Sequence, residues 1–278
     1  MSIALDRRRV ARALLLVTIA ACCLGPVLWQ ALTSFKPDAQ IVRLPPIWPE
    51  TATLAHYRTV LLGPASIAAP MLNSAIVASA TTALAIALGG LCAFAVARLP
   101  LHGGGPVILG ITIAIAMFPA IAVISPVYLL ARATGLRDTL LLVILVHTTY
   151  ALPLAIWVLS SVLRQVPVEL YWAARVDGCS PWRALRSVIL PTAWPGVAVA
   201  AVLVFIFSWN EFMFALTLTA SDRSRTAPVA IALFPGTHEL PWGDMAAAAL
   251  VVTAPVLLLT LLFQRQIVSG LAAGSVKG

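Results

Sequence analysis

Six stretches of this chain run for the length of a membrane crossing with no Lys, Arg, Asp or Glu, or with only one. They lie between Arg12 and Lys36, between Arg58 and Arg98, from the turn at His102–Pro106 to Arg132, and from Thr139 to Leu163. The fifth runs from Pro195 to Asp222, interrupted only by Glu211, and the sixth from Met245 to Gln264. A helix crossing the hydrocarbon core needs about 20 mostly apolar residues. Inside lipid every backbone polar group must be bonded within the protein, which leaves helices or a closed barrel. Barrel strands alternate apolar and polar residues, whereas Ile111–Met117, Leu140–Val146 and Val199–Phe207 are unbroken apolar runs. The sequence therefore predicts an all-α integral membrane protein with six transmembrane helices.

Composition closes off the other classes. Charged residues are 10% of the chain and hydrophobic ones 61%, against roughly 25% charged in a soluble domain. No polar shell can be built from that, which excludes a soluble enzyme, a secreted disulfide scaffold and a disordered tail. The net charge of +8 is too scattered to form a phosphate-binding face, so nucleic acid is not expected as a partner. Cys22, Cys23, Cys92 and Cys179 have no metal-ligand spacing and read as small apolar residues. No paired carboxylates or nucleophile–base constellation points to an enzyme.

The loops orient the spans. With the N-terminus inside, eleven basic residues fall on the cytoplasmic side and seven outside, the run Arg7–Arg9 contributing most of the bias. That run, followed by an apolar stretch, imitates a signal peptide, and Ile19-Ala20-Ala21-Cys22 loosely imitates a lipoprotein box. The sequence stays apolar from Cys23 to Leu32, so an uncleaved first helix is expected. The expected division is a cytoplasmic N-terminus (1–12), a first span with an outer loop (13–70), a five-helix core (71–263) containing a cytoplasmic loop (164–195), and a cytoplasmic tail (264–278).

The outer loop from Lys36 to Pro70 carries Pro37, Pro45, Pro46, Pro49 and Pro64 with Trp48 and Tyr57. Prolines forbid a long helix there; a plain connector and a contact surface for an external partner are both open readings. The inner loop is more informative. Pro167 suits the first turn of a short helix, Glu169 faces the positive end of its dipole, and Gly178 is its natural stop. Ser180-Pro181 reads as N-cap and N1 of a second helix ending at Leu190, where Pro191 interrupts it. Two short helices joined by a glycine turn would make a rigid cytoplasmic knob, able to enter a groove on another protein; a merely folded loop is the alternative.

Within the spans, polar groups are few. Glu211 is the single full charge, and an ionisable residue in a span is a functional candidate by default. Counted from Pro195 it lies roughly 24 Å along the fifth helix. Asn210 beside it offers hydrogen bonds to hydroxyls, while His147, Thr148, Thr149 and Tyr150 form a second patch ahead of Pro153. Lining a translocation path and pairing between neighbouring helices are both open for these residues. Ser79, Thr81, Thr82 and Gly89-Gly90 read as close helix packing. Pro119, Pro126, Pro153 and Pro255 read as kinks. Internal duplication, the mark of many secondary carriers, is not evident. Nor is a nucleotide-binding Gly-x4-Gly-Lys-Ser/Thr loop, since the only lysines are Lys36 and Lys277.

The inner loop carries Ala173-Ala174, Asp177, Gly178, Val188 and Leu190-Pro191 at a spacing that resembles the EAA loop of the maltose-type carbohydrate permeases of bacterial ATP-binding-cassette (ABC) importers. Asn73-Ser74, Phe118-Pro119, Trp209-Asn210-Glu211-Phe212 and the ending from Gln264-Arg265-Gln266-Ile267-Val268 to Val276-Lys277-Gly278 carry the likeness over most of the chain beyond Asn73. One departure stands out: Trp172 holds the place of the motif's glutamate, with Glu169 one helical turn earlier. The resemblance implies a type I importer transmembrane domain in the bacterial inner membrane, with both termini cytoplasmic. It implies an ATP-driven, binding-protein-dependent sugar importer working by alternating access. The partners it implies are a second permease subunit, a dimer of nucleotide-binding ATPase subunits and an external solute-binding protein. ATP and Mg would sit on the ATPase, and no cofactor on this chain. The coupling surface would comprise Glu169, Trp172, Ala173, Ala174, Asp177, Gly178, Val188, Leu190 and Pro191. Candidate path residues are Asn73, His147, Tyr150, Asn210 and Glu211. The competing reading from another class is a self-sufficient proton-coupled carrier using Glu211 and His147.

Overall fold

The computed structural model describes residues 2–41, 47–234 and 240–275, with side chains described for 9–41, 47–234 and 240–266. Arg43, Pro45, Pro46, Glu239 and the closing Val276-Lys277-Gly278 lie outside the described residues. Within them the chain is helical throughout: α1 (Ser2–Ser34), α2 (Asp38–Ile41), α3 (Ala55–Leu62), α4 (Ala68–Arg98), α5 (Gly104–Ala116), α6 (Ala120–Ala133) and α7 (Leu140–Gln165) come first. Then follow α8 (Val168–Val176), α9 (Pro181–Ala184), a π-helical turn (Leu185–Ile189), α10 (Leu190–Trp209), α11 (Met213–Leu218), α12 (Ala227–Ala232) and α13 (Trp242–Ser275). Among the described residues five helices are long and apolar enough to span a membrane, and α5 with α6 makes a sixth crossing if the bent pair is counted as one.

Three expectations need correction. The third span is not one helix: α5 and α6 meet at a bend of 85°. Pro119 has no N–H to extend α5 and pushes Phe118 out of the helical region, so the chain restarts at Ala120 with Pro119 as its N-cap. Pro191, in contrast, interrupts nothing. Pro181 to Trp209 is one continuous rod, and the second inner-loop helix is the base of the fifth span. The clash that Pro191 brings against the Ser187 carbonyl is absorbed by the π turn, in which the Leu190 N–H donates to the Leu185 carbonyl. The fifth span also starts fourteen residues before Pro195 and stops at Trp209, so Glu211 lies beyond its end.

The chain divides into two compact units, residues 1–68 with 231–254 and residues 69–230 with 255–278. In the first, α1 carries a long apolar surface with every side chain from Arg9 to Trp29 exposed. The outer loop holds two short helices, α2 and α3, as its prolines require. His56 of α3 is buried between the Lys36 carbonyl, 2.9 Å from Nε2, and Asp244 Oδ1, 2.7 Å from Nδ1. Gly243 lies so close that a Cβ there would stand 2.3 Å from the imidazole ring.

In the second unit, α4, α7, α8 and the rod from Pro181 share one core. Ala85, Ala93 and Phe94 of α4 meet Ala155, Leu159 and Leu163 of α7, Tyr171 and Ala174 of α8, and Ile189, Val197 and Val204 beyond. Small residues set the spacing: a Cβ on Gly89 would stand 3.0 Å from that of Ala155, so α4 and α7 meet backbone to backbone as Gly89-Gly90 predicts. At the other end of α7 a smaller cluster joins Ala131 of α6, Leu142 and Val146 of α7, and Phe214 and Leu218 of α11.

Candidate coupling loop and translocation path

The α8 helix is built by its ends. Pro167 takes the N-cap position, one residue ahead of the first helical turn, and Glu169 sits in that turn. At the far end Gly178 has φ +81°, the left-handed conformation that only glycine adopts freely. The Gly178 N–H donates to the Arg175 carbonyl (3.2 Å) and the Cys179 N–H to that of Ala174 (2.9 Å), the paired bonds of a Schellman stop. Arg175 Nη1 donates to the Cys179 carbonyl at 2.7 Å and ties the turn to the helix. Ser180 then caps α9, its hydroxyl accepting from the Arg183 N–H at 3.2 Å, with Pro181 at N1.

The faces of α8 divide cleanly. Tyr171 and Ala174 are buried in the core, and the Tyr171 ring meets that of Phe94 edge-on at 5.9 Å. Glu169, Trp172, Ala173 and Asp177 are exposed, and Trp172 retains 55% of its surface. Glu169 and Trp172, three residues apart, lie on the same side as one helical turn requires. Val188 and Leu190 lie partly buried in and just after the π turn, and Pro191 is exposed. The predicted knob is thus one free helix, α8, seated against the base of a long rod. Trp172, Val176 and Trp182 are exposed large apolar side chains in this loop.

The candidate path residues separate into three situations. Asn73 is buried near the start of α4, and its Nδ2 donates to the carbonyls of Asp222 and Arg225 at 3.0 Å each. Next to it, the Ser74 hydroxyl accepts from the Ala227 N–H at 2.8 Å. These two residues hold the segment 222–227 in place. His147 and Glu211 pair with each other. Nε2 of His147 lies 2.9 Å from Glu211 Oε2, and Nδ1 lies 2.9 Å from the Ser208 hydroxyl. The Glu211 carboxylate also accepts from the N–H groups of Phe214 (2.8 Å) and Ala215 (3.1 Å), the otherwise unpaired donors at the start of α11. One carboxylate therefore starts α11 and fastens the break after Trp209 to α7. Asn210 and Tyr150 make up the third situation. Asn210 is exposed in that break, its Nδ2 donating to the Ile206 carbonyl. Tyr150 packs on Phe214 at 4.7 Å and lines a cavity of about 550 Å³ with Thr112, Met117, Trp157 and Phe207.

Sequence reasoning missed a junction at the same end of α7. Asp138, with φ +63°, accepts from the N–H groups of Ala220 (2.7 Å) and Ser221 (3.0 Å) and from the hydroxyls of Ser221 (2.6 Å) and Ser224. Burial pushes its carboxyl pKa up, but the four donors outweigh that and hold it well below the ordinary carboxylate range. No local signal marks this, since the donors stand more than eighty residues away in the chain.

Comparison with known proteins follows the same lines. Residues 85–272 match the family described as binding-protein-dependent transport system inner membrane component. The chain is 43% identical to the trehalose transport system permease protein SugB of Mycobacterium tuberculosis, over 98% of this chain and 99% of that one. It is 37% identical to the trehalose/maltose transport system permease protein MalG of Thermococcus litoralis, over 94% of each. Its fold matches a chain from the crystal structure of a bacterial ABC transporter that imports the acidic polysaccharide alginate. That match has a TM-score of 0.75 and 20% identity, covering 94% of this chain and 96% of that one. The resemblance read from the motifs is met, and the self-sufficient carrier gives way to it. This chain belongs to the binding-protein-dependent transport system inner membrane component family: it is a multi-pass permease subunit of an ABC importer, a translocation component and not an enzyme.

Proposed function

We propose that this chain is one of two permease subunits that together enclose the path of an ATP-driven importer for a neutral sugar, with trehalose or a related disaccharide as cargo. The observation that carries the proposal is α8: a helix with one face locked into the bundle core and the other exposed, at a loop where the family resemblance expects the ATPase. Two copies of that ATPase bind and hydrolyse ATP with Mg, and this chain binds neither. Both termini lie in the cytoplasm, in keeping with the basic run at Arg7–Arg9. The coupling surface is Glu169, Trp172, Ala173, Asp177 and Gly178; Ala174 is buried beneath it, and Val188, Leu190 and Pro191 lie at the base of the rod. ATP-driven closure of the ATPase dimer moves α8 and switches the bundles between inward- and outward-open states.

Among the path candidates, Tyr150 and Asn210 offer what a sugar needs, an aromatic face and an amide. His147 and Glu211 fasten the break after the fifth span beside them, and Asn73 secures the 222–227 segment. Spans without a basic residue away from their ends favour an uncharged cargo over a phosphorylated one. Relatives named for trehalose and maltose transport, aligned over nearly the whole chain, point to the same class. The test is reconstitution of this chain with its second permease, ATPase and binding protein in proteoliposomes. Uptake of radiolabelled trehalose that requires ATP and the binding protein is expected. Uptake by this chain alone, driven by a pH gradient, would refute the proposal.

A further inference from the structure

We propose that the last turn of α4, through Phe94 and Arg98, is the transmission contact that carries movement of α8 into the transmembrane bundle. This rests on reading α8 as the ATPase-coupling helix. Along the chain, α8 is held only by two turns, Val166-Pro167 before it and Gly178–Ser180 after it. Its grip on the bundle is made sideways. Phe94 and Tyr171 are buried to 5% and 3% exposure with their rings edge to face. One turn further along α4, Arg98 Nη2 donates to the Leu163 carbonyl at 2.6 Å and also to the Val166 carbonyl. These acceptors end α7 and open the turn into α8, where helical carbonyls lack partners and a cation is favoured by the helix dipole. Glu169, in the first turn of α8, lies within electrostatic reach of the same guanidinium. One side chain thus binds α4 to the end of α7 and to the joint that leads into the coupling helix. Its Nε is buried without a hydrogen-bond partner among the described residues.

What makes the contact a relay is the helix behind it. α4 runs 31 residues, about 46 Å, with no proline beyond Pro70 in its first turn, and its Gly89-Gly90 pair is packed against Ala155 and Leu159 of α7, which leaves it no room to bend. At its other end Asn73 and Ser74 hold the 222–227 segment by three hydrogen bonds. A push received at Phe94 and Arg98 therefore reaches that loop through one rigid element. Arg98 and Phe94 act as positioning residues: they touch neither cargo nor nucleotide.

The test uses the complete importer in proteoliposomes, reading trehalose uptake and ATP hydrolysis together. Phe94→Ala and Arg98→Gln are expected to assemble at wild-type stoichiometry yet to import at least tenfold less sugar per ATP. Arg98→Lys should recover part of that ratio, as a cation without the planar fork. Less assembled complex with an unchanged ratio would mean packing alone and overturn the proposal. Where a variant does not assemble, a short bismaleimide bridging Phe94→Cys and Tyr171→Cys, with the four native cysteines replaced, decides the matter. With the bridge standing in for the lost ring contact, the cross-linked pair should import at least tenfold more sugar per ATP than the unbridged one, as two helices moving as one body; no gain, or arrest, overturns the proposal. A wild-type complex whose ATPase ignores the binding protein would overturn the reading of α8 itself, and the relay with it.

Discussion

The pair His147–Glu211 allows a structural role to be separated from a role in the path by magnitude. Glu211 accepts three N–H groups, from His147 at 2.9 Å, Phe214 at 2.8 Å and Ala215 at 3.1 Å. Glu211→Gln keeps the shape but offers a single acceptor oxygen. Seated where Oε2 lies, that oxygen preserves the bonds from His147 and Ala215 and turns an NH₂ toward the Phe214 N–H. One charge-assisted bond is lost, about 1.5–3 kcal/mol in soluble proteins; side-chain bonds within membranes average only ~0.6 and reach ~1.7 kcal/mol. The expected cost is therefore about 1–2 kcal/mol. Glu211→Ala removes all three bonds and strands a buried imidazole and two amides, for about 3–5 kcal/mol. Unfolding in mixed micelles, followed by tryptophan fluorescence, measures both variants; Trp209, at the end of α10 and two residues before Glu211, is buried. A double-mutant cycle with His147→Phe should give a coupling of about 1 kcal/mol. Equal losses for Gln and Ala, or a coupling of zero, would refute the reasoning. Abolished uptake with stability intact would place the carboxylate in the path instead.

Further outcomes follow from other joints. Gly178→Ala must hold a left-handed φ of +81° and is expected to cost about 1–3 kcal/mol, whereas Gly178→Arg should leave an assembled complex whose ATPase no longer responds to the binding protein; normal uptake by the arginine variant would refute the role of the α8 turn. Gly89→Leu should drive α4 off α7, because its Cβ already meets that of Ala155 at 3.0 Å, and should lower the yield of folded complex, with Gly89→Ala milder. Asp138 is held ionised, its folded pKa depressed below the unfolded value of about 3.9. Its contribution is thus complete above that value and is lost as pH falls through the folded pKa. Asp138→Asn should cost about 1–3 kcal/mol at pH 7 and reduce the loss of stability on acidification; an unchanged acid profile would refute this.

Much of the local structure was legible because its causes are local. Ser180-Pro181 starts a helix and Gly178 ends one through backbone and side-chain geometry within four residues, and both do so here. Charge-free runs mark spans because lipid penalises each charge independently of its neighbours. Pro119 and Pro191 show where that reasoning stops. The same missing N–H breaks the third span by 85° yet passes through the fifth rod as a π turn. The rod around Pro191 is held on both sides of the π turn by a shared core with α4, α7 and α8, which makes continuing the helix more favourable than breaking it.

By itself, then, the sequence determined the solvent, the helical class, the small-residue contact at Gly89 and the loop that presents α8. Each depends on residue type or short-range spacing. Tertiary structure alone decided which polar groups meet: His147 with Glu211 and Ser208, Asn73 with the 222–227 loop, Asp138 with its four donors, and Arg98 with the end of α7. These partners lie some sixty to one hundred and fifty residues apart, and a buried polar group in an apolar bundle takes whichever partner packing brings within 3 Å. The few polar residues left by a composition of 61% hydrophobic residues thus serve mostly as the bundle's fasteners, leaving Asn210 exposed and Tyr150 on a cavity wall.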